Sequence, residues 1–160
     1  MARIYSMDRF DHRILRALQK DSSRPIADLA RDIGLSTSAC HRRIKLLEES
    51  GIIVGYVARI DRNALGLKLQ VFVEITLSSQ AREVLEAFEA SVTRFEDILE
   101  CHLTSGHADY ILRVVARDMA DFADIHRNVL SRLPNVASMQ TIFTLRPVQH
   151  WRGYPIDDRA

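Results

Sequence analysis

The hydrophobic period changes along this chain, and that change limits what the chain can fold into. In residues 68–77 the pattern alternates almost strictly, with Leu69, Val71, Val73, Ile75 and Leu77 on one side and Lys68, Gln70, Phe72, Glu74 and Thr76 on the other. A period of two is that of a half-buried strand. Residues 8–49 instead repeat at helical spacing. The chain therefore joins a helical part to a part built on a sheet.

The helical part predicts three short helices. The first covers residues 8–20, with Phe10, Ile14 and Leu18 on its inner side. The second begins at Pro25, which suits a first helical position, and stops at Gly34. The third is capped by Ser36 and ends at Gly51. A helix, a short glycine-containing turn and a second capped helix are the helix-turn-helix pattern, whose second helix lies in the major groove of DNA.

The third helix has two distinct faces. One packs through Cys40, Ile44 and Leu47, while the other presents polar side chains that can reach DNA. The candidate DNA-binding residues on that polar side are Thr37, Ser38, His41, Arg42 and Lys45. The planar fork of Arg42 suits guanine, and Lys45 suits a phosphate. Thr37 and Ser38 either contact a phosphate or complete the cap. The alternative is a three-helix packing module whose polar face meets only water.

The second part predicts an α+β domain of order β-α-β-β-α-β. Strands are expected over 68–77, 98–104, 110–116 and 136–145, with helices over 80–92 and through Phe122, Ile125, Val129, Leu130 and Leu133. This ferredoxin-like order gives a four-stranded antiparallel sheet with both helices on one face. The open face carries Phe72, or the Leu69 set if the register is inverted. We expect a second subunit to cover it, which predicts a homodimer at least.

Four segments follow from these patterns. Residues 1–60 are the predicted helix-turn-helix domain, and the alternating stretch 52–60 predicts a strand that leads out of it. Residues 61–66 are polar and turn-prone, and we interpret them as a linker. Residues 67–147 form the βαββαβ domain. Residues 148–160 are a tail, whose Trp151 and Tyr154 we expect to pack on a neighbouring subunit.

Composition narrows the range of functions. Residues 1–60 hold eleven Lys and Arg against seven Asp and Glu, whereas the rest holds eleven against fourteen, which favours a polyanionic partner for the first part. No apolar run approaches a membrane span and the first residues lack a signal peptide, so we expect a cytoplasmic protein without a membrane partner. Two cysteines and six scattered histidines show no metal spacing, and phosphate-loop and GxSxG motifs are absent. Neither an enzyme, a metal nor a cofactor is indicated.

Several short motifs, taken together and in order, resemble the Lrp/AsnC or feast/famine family of transcriptional regulators. They include Asp11-His12-Arg13-Ile14-Leu15, residues 29–36, Cys40, Arg43, residues 46–48 and Gly51-Ile52-Ile53, then residues 71–75, 100–103, Ser105-Gly106 and Asp109-Tyr110. The resemblance covers nearly the whole chain. It implies a winged or plain helix-turn-helix domain on a ligand-sensing domain, and a dimer that acts on a pseudo-palindromic operator in double-stranded DNA. It also implies further assembly into tetramers or octamers, with a small effector, usually an amino acid, bound between dimers.

The turn over residues 105–109 is the first candidate for the effector site. Gly106 allows a close backbone approach, and Asp109 offers a charge for an ammonium group. The structural alternative is a plain hairpin turn. The family resemblance adds the positions Leu103, Met119, Ile142, Phe143 and Thr144 to Asp109. His107 stands where the family commonly has an acidic residue, which bears on effector preference or on pH dependence.

Two other functions are compatible with the sequence. The sirohaem decarboxylases resemble the same two-domain architecture, and a ligand sensor that acts through partner proteins has the same composition. The basic face of the third helix argues against the decarboxylases, because an enzyme of that kind has no use for a DNA-reading surface.

Overall fold

The computed structural model describes residues 5–156 and divides the chain into two compact units. One contains Arg59 and the described residues before it, together with the tail from Gln149 onwards. The other runs from Ile60 to Val148. No helix in the described range is long and apolar enough to cross a membrane.

The first unit contains the three predicted helices, α1 (Arg9–Lys20), α2 (Ile26–Ile33) and α3 (Thr37–Glu49). Asp8 caps α1 by accepting the N–H groups of Phe10 and Asp11, and the Asp11 carboxylate accepts the Asp8 N–H in return. Gly34 ends α2 at a φ of 82°, a left-handed conformation that glycine adopts without strain. The Ser36 hydroxyl then caps α3 by accepting the Ala39 N–H at 3.2 Å.

Two local predictions for this unit are wrong. Pro25 is not the first helical residue but stands just before α2, with an extended backbone and a carbonyl that accepts the Asp28 and Leu29 N–H groups. The predicted strand over residues 52–60 is absent from the structure. A strand needs a partner for its backbone groups, and from Val54 onwards the apolar side chains of that stretch lie exposed: Val54 is 95% exposed and Val57 87%. Ile52 and Ile53 instead pack against the helical core.

The second unit contains β1 (Leu69–Leu77), α4 (Arg82–Val92), β2 (Ile98–Leu103), β3 (Tyr110–Ala116), α5 (Met119–Asn128) and β4 (Val136–Phe143). The sheet order is β2-β3-β1-β4 and every neighbouring pair is antiparallel. This is the predicted βαββαβ arrangement. The second helix is shorter than expected, because the chain turns into a 3-10 helix over Leu130–Arg132.

The sheet has one covered face and one open face. Val71, Val73 and Ile75 are fully buried and share a core with Phe88 of α4 and Phe122 of α5. Phe72 lies on the other face, where it stands opposite Arg113 of β3 and Ile142 of β4. Both helices therefore cover the Leu69 set, and the open face is the one that carries Phe72.

The linker and the tail are both held by hydrogen bonds. In the predicted linker, the Arg62 guanidinium donates to the carbonyls of Leu67 and Lys68 at 2.7 Å, which closes a turn. The tail lies against α1 of its own chain, through a pair of hydrogen bonds between Gln19 and the Tyr154 backbone. Trp151 and Tyr154 were expected to pack on a neighbouring subunit. Within one chain their rings contact each other edge to face and are mostly exposed, so they are available to a neighbouring subunit and the expectation stays a prediction.

Candidate nucleic-acid interface and effector site

The exposed face of α3 carries all five predicted DNA-binding residues. Thr37, Ser38, His41, Arg42 and Lys45 are exposed along one side of the helix. Within the described chain Arg42 makes no hydrogen bond or ion pair, so its fork is available to an outside partner. Lys45 has only a 3.8 Å contact with Glu49, and the Ser38 hydroxyl lies 3.2 Å from that of Ser36. An exposed ion pair of that length contributes little, so Lys45 is also free to bind.

The opposite face of α3 holds the helix in place. Cys40 and Leu47 are fully buried and Ile44 nearly so, in a core shared with Ile14 of α1 and Leu29 of α2. Burial raises the pKa of the Cys40 thiol, which keeps it protonated at neutral pH. The Cys40 side chain therefore fills the core and does not act as a nucleophile.

Arg43 clamps α3 to the start of α1. Its guanidinium donates to the Asp11 carboxylate at 2.9 Å and to Asp8 at 2.8 Å, and it also lies 5.4 Å from the centre of the Phe10 ring. The Asp11 side chain is 1% exposed and also accepts the Tyr5 hydroxyl at 3.1 Å. Removing one partner of such a buried pair leaves the other charge without compensation. Arg43 therefore positions α3, and the spacing of the motif alone did not reveal this role.

Asp8 links this clamp to the helix cap. Burial alone would raise the pKa of Asp8, but the N–H groups of Asp11 and Phe10 and the Arg43 guanidinium outweigh it. The pKa of that carboxyl is held below its ordinary value. The ionised form is therefore the one that caps α1 and binds Arg43.

The effector candidates Leu103, Gly106, His107 and Asp109 lie at the β2–β3 end of the sheet. Leu103 and His107 are exposed, and the space around Gly106 is open. The Asp109 carboxylate is already engaged, because it accepts the Leu77 N–H at 2.8 Å and the Gln80 side-chain amide at 3.0 Å. In this structure it ties the turn to the end of β1.

The other candidates lie elsewhere on the sheet. Met119 begins α5, beyond the far end of β3, and is 57% exposed. Phe143 ends β4 and packs edge to face on Phe122 at 5.3 Å, and the Thr144 hydroxyl donates to the Gln70 carbonyl at 2.7 Å. Ile142 is on the open face. The seven residues of β3 separate the two groups by roughly 20 Å at about 3.3 Å per residue, so one chain does not bring all eight residues into one pocket.

Both parts of the chain that carry these surfaces match domains of known proteins. Residues 7–48 match the model of the AsnC-type helix-turn-helix domain, and residues 70–152 match that of the Lrp/AsnC ligand binding domain. The chain belongs to the Lrp/AsnC family. The leucine-responsive regulatory protein of Salmonella typhimurium is 40% identical to it over 143 residues, which are 89% of this chain and 87% of that protein.

Solved structures of Lrp/AsnC regulators have the same fold. An AsnC-family transcriptional regulator from Agrobacterium tumefaciens is 36% identical and superposes with a TM-score of 0.90 over 96% of this chain and 100% of that one. A transcriptional regulator from Neisseria meningitidis, solved as a complex with L-methionine, is 30% identical with a TM-score of 0.90, over 95% of this chain and 98% of that one.

Family membership settles the class of protein. This Lrp/AsnC member is a helix-turn-helix transcriptional regulator and not an enzyme of the sirohaem decarboxylase kind. Among the described residues no group of three histidine, cysteine, aspartate or glutamate side chains is placed to hold a metal ion.

Proposed function

We propose that the protein is a homo-oligomeric regulator that reads a pseudo-palindromic operator with α3 and responds to an amino acid. The observation that carries the proposal is the exposed face of α3, where Arg42 is unpaired beside Lys45 while the opposite face is fully packed. Residues 1–60 are then the DNA-reading domain, 61–66 a linker, and 67–147 the sensing domain. Residues 148–160 form the tail.

The open face of the sheet supports a dimer. Phe72 is half-buried, and Ile142, which is 41% exposed, lies directly opposite it. A two-fold axis through such a face pairs the same patch on both subunits. The dimer then presents two copies of α3, and the operator has two half-sites about one helical turn apart. Assembly of dimers into tetramers or octamers uses other surfaces.

The effector site is formed where two subunits meet. The candidate residues are split between opposite ends of the sheet, so a pocket that uses both groups takes them from different chains. Two relatives were solved with L-methionine, the Neisseria meningitidis regulator and a feast or famine regulatory protein of M. tuberculosis that is 27% identical to this chain. The ligand of this chain is, on this proposal, also an amino acid. At the β2–β3 end, exposed His107 lines its entrance.

Two substitutions test the DNA-binding face. Arg42→Ala removes a base-reading fork, so it should cost about 1 to 3 kcal/mol and relax sequence preference at one operator position. Arg42→Lys keeps the charge but loses the fork, and should relax the same position. Lys45→Ala should instead weaken binding to all sequences evenly and flatten the dependence of log K on log salt by about one unit.

The assay is selection of DNA sequences from a random pool, followed by titration of the selected duplex at several salt concentrations. Arg94→Ala is the matched control, because Arg94 is an exposed arginine in the sensing unit. If both α3 variants select and bind as the unchanged protein does, another surface reads the DNA.

The effector is found by thermal unfolding in the presence of each of the twenty amino acids at millimolar concentration. A ligand that binds only the folded protein increases the free energy of unfolding by mass action, by about 2.7 kcal/mol at a hundredfold excess over Kd. The unfolding temperature therefore rises. A clear increase with one amino acid or a small related set supports the proposal. No increase with any of the twenty contradicts its effector part.

A further inference from the structure

We propose a second ligand site in the DNA-reading unit, for a small anion that carries at least two phosphate groups. The site is a cavity of about 340 Å³ between α1, the segment at Arg59 and the tail. Its lining residues are Arg16, Gln19, Lys20, Arg59, Arg152 and Tyr154. It is separate from the predicted effector residues, all of which belong to the other unit.

The charge of this cavity is one-sided. Four of its six described lining residues are cationic and none is acidic. Lys20, Arg59 and Arg152 are exposed and make no ion pair or hydrogen bond with the described part of the chain. The proximity of these three like charges destabilises the arrangement, whereas an anion between them turns the repulsion into attraction. Two guanidinium groups and an ammonium suit phosphate oxygens in particular, because arginine binds them through paired N–H groups.

The tail contributes to this site because specific hydrogen bonds hold it against α1. The Tyr154 N–H donates to Gln19 Oε1 at 2.6 Å, and Gln19 Nε2 donates back to the Tyr154 carbonyl at 3.1 Å. Arg16 donates to the Ile156 carbonyl at 2.8 Å. Gly153 has a φ of 94°, and a Cβ there would lie 2.5 Å from Gln19 Oε1. A conformation that favours glycine at a close approach holds Arg152 beside the end of α1.

The geometry favours a small anion over the operator's own backbone. Arg16 and Lys20 lie about 200° and 240° around α1 from Ile14, at 100° per residue. Ile14 is the fully buried apolar residue of α1 in the core shared with α3. The two cations therefore lie on the side of α1 away from Ile14 and the core it shares with α3, and we expect a duplex held by α3 to leave them free. A volume of 340 Å³ also lies within the range of small-molecule pockets, roughly 300 to 1,000 Å³.

An aromatic surface adjoins the charged groups. Tyr154 lines the cavity with 73% of its surface exposed, and Trp151 meets its ring edge to face with centroids 4.9 Å apart. Such a ring offers a stacking surface to a planar group beside the phosphates. A nucleoside diphosphate should therefore bind more tightly than pyrophosphate alone.

The test is calorimetric titration of the full chain with pyrophosphate and with ADP, at constant ionic strength set by sodium chloride. We expect saturable binding of one anion per chain, at least tenfold weaker in the double variant Arg59→Ala, Arg152→Ala. The control Arg94→Ala removes an exposed arginine from the other unit and should bind as the unchanged protein does. Gly153→Ala displaces the tail and should weaken binding without removing any charge.

Three results would overturn the proposal. The first is no saturable binding of either anion by the unchanged chain. The second is an equal loss in the control and in the double variant, which would show general screening of charge. The third is displacement of pyrophosphate by unrelated duplex DNA, together with weaker DNA binding by the double variant, since the cations would then serve the DNA backbone. Far-ultraviolet circular dichroism of each variant checks that it is folded.

Discussion

Two substitutions of Asp109 can distinguish its structural role from a role in ligand binding. Its carboxylate accepts the Leu77 N–H at 2.8 Å and the Gln80 amide at 3.0 Å. Asp109→Ala leaves the N–H of Leu77, a buried residue at the end of β1, without a partner. An unsatisfied buried donor costs about 1 to 3 kcal/mol. For a domain of this size each kcal/mol lowers the unfolding temperature by about 4 to 8 °C. Asp109→Asn keeps an oxygen that can accept the Leu77 N–H and should cost less than about 1 kcal/mol.

Thermal unfolding of both variants, with and without the amino acid found in the screen, separates the two roles. The Ala variant should be clearly destabilised, and the Asn variant should unfold close to the unchanged protein. If the charge of Asp109 also binds the effector's ammonium group, the Asn variant should lose most of the ligand-induced increase. An Ala variant as stable as the unchanged protein would refute the structural role. An Asn variant that responds normally to the ligand would remove Asp109 from the effector site.

Three further predictions concern the DNA-reading unit and the cysteines. The pKa of Asp8 is lower in the folded protein than in the unfolded chain, where it is near 4. The stabilisation from the ionised carboxylate is therefore present above the unfolded pKa and is lost as pH falls through the folded pKa. The free energy of unfolding measured over acid pH should show this loss, and Asp8→Asn should remove it. Gly34→Ala should lower stability by about 1 kcal/mol in denaturant unfolding, because a side chain is strained at a φ of 82°. Burial and then Glu89 raise the pKa of Cys101 to about 11, so at pH 7 iodoacetamide should modify it far more slowly than a free thiol, and an equal rate would contradict this.

The sequence predicted most of what depends on local signals. Ser36 and Gly34 mark helix ends through contacts within a few residues, so α2 and α3 were found nearly to the residue. The alternation in residues 69–77 separates the two faces of β1, because each face repeats every second residue, but it leaves open which face the helices cover. The packing of Phe88 and Phe122 on Val71, Val73 and Ile75 decides that point. The packed and exposed faces of α3 followed from the same kind of periodicity.

Features that depend on distant partners were missed or misread. Residues 52–60 have the alternation of a strand, yet residues 5–156 provide no neighbouring strand for them to pair with. The ion pairs of Arg43 with Asp8 and Asp11 join residues more than thirty positions apart in the sequence. The hydrogen bonds between Gln19 and the Tyr154 backbone join residues 135 positions apart. A turn motif also could not show that the Asp109 carboxylate is occupied by Leu77 and Gln80. These contacts are fixed by tertiary packing, which a local pattern does not encode.

Coupling between DNA reading and amino-acid binding is tested most simply by the binding isotherm of the full chain on its selected operator, measured with and without the amino acid that stabilises the protein. We expect a change in Kd of about fivefold or more, the usual lower range of coupling between two sites, or a change in the number of chains bound per operator. The same experiment with Arg42→Ala should show weaker binding in both conditions. Identical isotherms with and without each of the twenty amino acids would contradict the claim that this regulator couples DNA reading to amino-acid binding.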